Sequence, residues 1–145
     1  MAPTSTDPRV IRSIAVTRSD VVAAYEHNRR GGARAVLRVT PPFNGRMRAR
    51  IHVEHDAEYA DAVRPIHVQP SALVDTDRVP PYPDPDETGA SLRADPEATY
   101  SVEEHHERHV EAVAAWREAV GDAIVDAVDL ATPDGPHRVA VKRLG

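Results

Sequence analysis

Arg34-Ala35-Val36-Leu37-Arg38-Val39-Thr40-Pro41-Pro42-Phe43-Asn44-Gly45-Arg46-Met47-Arg48-Ala49-Arg50-Ile51-His52-Val53 is the stretch that decides the fold. On its second arm arginines alternate with apolar residues, and the first arm follows the same period, that of a half-buried strand. The two arms, Arg34 to Thr40 and Arg46 to Val53, read as a β-hairpin. A two-residue Asn44-Gly45 turn is the usual solution for such a pair. Here it would set Val39 opposite Arg50 and mix the faces. A register one residue away joins Ala35, Leu37 and Val39 to Ala49, Ile51 and Val53 on the core side. It needs a longer loop, which suits Pro41 and Pro42, since neither can donate to a ladder.

The other face then carries Arg34, Arg38, Arg48, Arg50 and His52, with Arg46 at the head of the second arm. Like charges at this spacing repel one another unless an anion or carboxylates neutralise them. Arginine forks match phosphate and carboxylate groups. Arg34, Arg38, Arg46, Arg48, Arg50 and His52 are therefore the candidate binding set for nucleic acid or another polyanion. The competing reading is internal pairing with acidic residues from the rest of the chain.

That competition is real because the charge is split. Residues 1–55 hold ten arginines against four acidic residues, a net +6, and residues 56–145 have a net −11, within an overall −5. Either an anionic partner meets one half, or the halves fold onto each other. Lys142 is the single lysine beside seventeen arginines.

Outward from the hairpin, Val10 to Val16 predicts a first strand. Thr17 or Ser19 can cap a helix from about Arg18 to Arg30, stopped by Gly31-Gly32. Arg64 to Gln69 predicts another short strand. From about 75 to 99 repeated prolines (Pro80, Pro81, Pro83, Pro85, Pro96) and aspartates predict a loop without regular structure. Ser101 and Glu104 then form a capping box. Val102, His106, His109, Val113, Trp116, Val120 and Ile124 follow as one stripe, long enough to cross a whole sheet. Val128 to Leu130 and Arg138 to Leu144 predict a closing hairpin. The expected fold is α+β: a single, mainly antiparallel sheet of five or six strands, packed by one long C-terminal helix and one shorter N-terminal helix. Residues 1–9 read as a flexible tail and residues 10–145 as one domain.

The chain has no cysteine, so disulfide frameworks and thiolate chemistry are excluded. Its start lacks a signal-peptide core and no apolar run reaches the ~20 residues that span a bilayer. A cytoplasmic protein without a membrane partner is expected. His105, His106 and His109 have spacings that can chelate a metal, with His52, His55, His67 or a carboxylate as a third ligand. Their order matches no zinc-hydrolase motif, and a structural role at the polar end of the stripe is the simpler reading. No nucleophile elbow, glycine-rich phosphate loop, zinc finger or helix-turn-helix is present. No catalytic residue is assigned and no cofactor is required.

Three stretches carry a resemblance: Ile14-Ala15-Val16-Thr17-Arg18-Ser19-Asp20-Val21-Val22, Pro41-Pro42-Phe43-Asn44-Gly45-Arg46-Met47-Arg48-Ala49-Arg50, and His105-His106-Glu107-Arg108-His109. From Ile11 onward the chain resembles small, uncharacterised haloarchaeal proteins, a domain of unknown function. The resemblance implies an origin and no activity. The sequence thus points to a binding module rather than an enzyme, with nucleic acid or an acidic protein surface as partner. The alternatives are a metal-binding protein or metal-dependent enzyme built on the C-terminal helix, and a protein-interaction module that assembles with itself or others.

Overall fold

The computed structural model describes residues 5–31, 33–54 and 64–145. Its elements are β1 (Ser13–Thr17), α1 (Arg18–Arg30), β2 (Ala35–Val39), β3 (Arg46–Arg48), β4 (Arg50–Val53), β5 (Ile66–Val68), α2 (Pro85–Ala94), α3 (Val102–Asp122), β6 (Ala127–Thr132) and β7 (Gly135–Leu144). The class is α+β, as expected. The single sheet is not found: there are two, ordered β3-β1-β7-β6 and β4-β2-β5.

The hairpin explains the difference. β2 pairs antiparallel with β4 in the expected register, Ala35 with Val53 and Leu37 with Ile51. The first residues of the second arm leave β2 altogether and pair parallel with β1, Ser13 with Arg46 and Ala15 with Arg48. Gly45 O accepts from the N–H groups of both Arg12 and Ser13, which draws the loop end across to β1. Phe43, 2% exposed, anchors the loop in the core, and Ser5 bridges to it on both sides. Residues 5–9 thus include a segment hydrogen-bonded to the hairpin loop. Ala49, fully buried, marks the bend in the ribbon, and its N–H donates to Ala15 O. Residues 46–53 thus serve both sheets. On the far side β5 lies against β6, so both sheets line one apolar core that includes Ile14, Val16, Leu37, Val39, Val128, Leu130 and Val141.

α1 begins where expected, with the Thr17 hydroxyl capping the Asp20 N–H. Gly31 ends it at φ +84°, a conformation that favours glycine. Asn28 in its last turn clamps the start of β2 by two hydrogen bonds to the Ala35 backbone, both 2.8 Å.

The long helix α3 is present with its Ser101 cap, but it packs against α1 and α2. Only its C-terminal half joins the core through Trp116, Val120 and the following Ala123 and Ile124. Val102, 75% exposed, and His106 stand in solvent. The stripe's first turns lie beyond the sheets and meet α2 instead. That helix occupies what the sequence predicts as the 75–99 loop. Asp84 caps it, Pro85 sits at its first position where no N–H is needed, and Asp86 and Glu87 complement its dipole. Leu92 is its fully buried contact.

Candidate functional site

In β1, β3, β6 and β7 the apolar residues Ile14, Val16, Met47, Val128, Leu130, Val139 and Val141 point to the core. Strand alternation therefore turns Ser13, Ala15, Arg46, Arg48, Ala127, Ala140 and Lys142 to the opposite, outer face. The register orders them in rows. Arg46, Ser13, Ala140 and Ala127 are cross-strand neighbours, and so are Arg48, Ala15 and Lys142. Small side chains form a low floor with cations at its edges.

Among the described residues, Arg46, Arg48, Arg50 and Lys142 form no ion pair, and Arg48 Nε is enclosed with no acceptor. Arg138, further along β7, is neutralised by Asp129 at 3.3 Å. The acidic half of the chain finds other partners. Arg18 binds Glu118 and Asp122, both at 3.0 Å, Arg108 binds Asp95 and Glu104, and Arg117 binds Glu26. Folding does bring the two halves together, yet it leaves the β3 arginines out.

The six-residue set read from the hairpin is divided between the sheets. Arg46 and Arg48 belong to the four-stranded sheet, while Arg34, Arg38, Arg50 and His52 border or lie on the three-stranded one. On that second sheet Arg38 is aligned with Arg50 on one side and His67 on the other. Arg38 Nη1 lies 3.4 Å from His52 Nε2, His67 Nδ1 donates to Glu54 at 3.0 Å, and Arg34 Nε donates to Gln69 at 3.0 Å. Val36, of the same alternation as Arg38, has no exposed surface. Arg34, Arg38, His52 and His67 are engaged within the protein, while Arg50 at the side of this face is exposed. On the four-stranded sheet the cations are exposed Arg46, half-buried Arg48 and, from β7, exposed Lys142. Sequence reasoning missed Lys142 because no local pattern says that β7 lies beside β1.

The histidines of α3 hold α2. His105 Nε2 donates to Pro85 O at 2.8 Å, and His109 Nδ1 lies 3.3 Å from the Thr88 hydroxyl. Gly89 permits this approach, since a Cβ there would stand 3.3 Å from the His105 ring. His106 is exposed and His55 lies outside the described residues. Among the described residues no three His, Asp or Glu side chains converge as a metal site. A cleft of about 700 Å³ between α2 and α3 is lined by five carboxylates, Asp84, Glu87, Glu104, Glu107 and Glu111, against one cation, Arg108, a net negative field that repels polyanions.

A match to one family covers residues 1–145, under the description Domain of unknown function (DUF8009). The chain belongs to that family. No curated protein and no solved structure matches it. Family membership assigns no chemistry, so the functional argument rests on the sheet face. Among the described residues no helix is long and apolar enough to cross a membrane.

Proposed function

We propose that this chain is a small binding module for nucleic acid or a similar polyanion, working in the cytoplasm of a salt-adapted cell. One observation carries the reading: exposed Arg46 and Lys142 and half-buried Arg48 share a low-relief sheet face on which, among the described residues, none has an acidic partner. Unpaired cations repel one another, and an approaching anion relieves that repulsion while gaining charge-assisted hydrogen bonds. The small floor residues Ser13, Ala15, Ala127 and Ala140 allow a flat ligand to come close. In high salt the Debye length falls to ~3 Å, so direct contacts rather than long-range steering must supply affinity.

The test is fluorescence anisotropy with a labelled oligonucleotide over a salt series. Affinity should fall linearly in log–log form, because each neutralised phosphate releases counterions. Replacing Arg48 and Lys142 together with alanine should flatten the slope by roughly one to two units without changing the fold. Absence of binding by the wild type at low salt would defeat the proposal.

A further inference from the structure

Two rows cross the four-stranded sheet on its outer face, and they differ in what they offer an anion. In the first, Ala15 stands between Arg48 and Lys142 on adjacent strands. Strands lie ~4.8 Å apart, so the two cationic residues start ~10 Å from each other. Both side chains are long enough to converge above the small Ala15 methyl group that lies between them in the register. Arg48 also holds the enclosed Nε without an acceptor, an unmet donor on a charged group. In the second row, Ser13 offers a hydroxyl beside Arg46, and Ala140 leaves room on its other side.

The rows are two residues apart along β1, which is ~6.6 Å. Successive phosphates along a nucleic-acid strand are separated by a closely similar distance. We propose that a sugar–phosphate backbone runs along β1 with one phosphate above Ala15, held by Arg48 and Lys142. The next lies above Ser13, held by Arg46 and the Ser13 hydroxyl. This rests on the polyanion reading and adds a register to it: one nucleotide for every two residues of β1. Neither row contains an aromatic side chain to stack a base. The bases therefore face outward, and recognition is of the backbone, without regard to sequence.

The experiment titrates the full-length chain with three probes of equal charge: a mixed-sequence single-stranded DNA, an abasic deoxyribose-phosphate oligomer of the same length, and linear inorganic polyphosphate. The DNA and the abasic oligomer should bind within about threefold of each other, since base stacking adds nothing here. Polyphosphate, whose charges are far more closely spaced, should bind about tenfold more weakly, the loss of one well-placed charged contact. Ala15→Leu should weaken both nucleotide-like probes about tenfold by the same reckoning, while Ala131→Leu, exposed on β6 opposite Pro136 and outside both rows, should change neither. Lys142→Gln, which requires no repacking, should weaken them as well and serves if Ala15→Leu disturbs the fold. Equal binding of polyphosphate, unchanged binding by the Ala15 and Lys142 variants, or a strong preference for DNA over the abasic oligomer would overturn the register and leave the polyanion reading standing. Failure of all three probes at low salt would overturn both.

Discussion

Arg117 holds Glu26 by two hydrogen bonds, Nε to Oε1 at 2.7 Å and Nη2 to Oε2 at 3.0 Å. Tyr82 donates a third to Oε2 at 2.6 Å. Among the described residues Glu26 is the one buried charged side chain, and it joins α1, α3 and the connector before α2. An enclosed carboxylate without these partners would be strongly unfavourable. The helices are thereby fastened to one another through their own charges, and the cations of β3 and β7 take no part.

The Glu26 contact makes stability pH-dependent in a defined direction. Arg117 holds the Glu26 carboxyl below its usual range, burial opposes this, and Tyr82 assists Arg117. A depressed carboxylate pKa contributes stability that is present above the unfolded value, about 4.3, and is lost as pH falls through the folded one. Thermal melts should show wild-type stability declining below that pH. Glu26→Gln should cost about 1.5 kcal/mol at neutral pH, the low end for charged hydrogen bonds because Arg117 is half exposed, and should flatten the acid limb. A variant that keeps the full acid dependence would place its origin elsewhere.

Trp116 sits between the helices rather than beneath a sheet. Its ring meets Tyr82 edge-on at 4.7 Å and Tyr25 at 5.7 Å, and its Nε1–H donates to Pro80 O at 3.0 Å. Trp116→Ala should cost about 3–5 kcal/mol in chemical denaturation. Because the connector depends on this ring, amide exchange at residues near Tyr82 should accelerate together with that loss. Exchange confined to α3 would show that the connector is held by Glu26 alone.

The α3 histidines should behave as packing residues. A chelator added to purified protein should leave the melting temperature unchanged, and His105→Ala should lower it by loosening α2. Gly89→Leu should do the same more severely, since its side chain would run into the His105 ring. Near-stoichiometric bound metal that disappears in His109→Ala would reverse this assignment.

What could be read from the chain follows the range of the interactions. The β2–β4 register was legible because Ala35 to Val53 is a single stretch whose alternation admits only one consistent facing. The parallel pairing of β3 and β7 with β1 was not, because Ser13, Arg46 and Ala140 are far apart in sequence and no periodicity names a partner. α2 was legible in principle: Asp84-Pro85-Asp86-Glu87 is a helix start, but the surrounding prolines suggested a loop. In the site, Arg46 and Arg48 were visible locally. Lys142 became part of it only through the sheet.

The two sheets give opposite expectations for arginine substitution. Arg34 and Arg38 are hydrogen-bonded within the three-stranded sheet, to Gln69 and against His52. Arg46 and Arg48 lie on the outer face of the four-stranded sheet with no acidic partner among the described residues. Alanine at Arg34 and Arg38 should therefore reduce stability by about 0.5–1.5 kcal/mol per lost hydrogen bond and leave oligonucleotide affinity nearly unchanged. Alanine at Arg46 and Arg48 should leave the melting temperature close to wild type, because neither arginine side chain pairs with a described residue. It should reduce affinity and lower the salt slope by roughly one unit for each phosphate contact removed. Paired melting and anisotropy measurements on the two double variants separate these outcomes. If Arg34 and Arg38 prove to control affinity, the binding face is the three-stranded sheet, and Lys142 has no part in it.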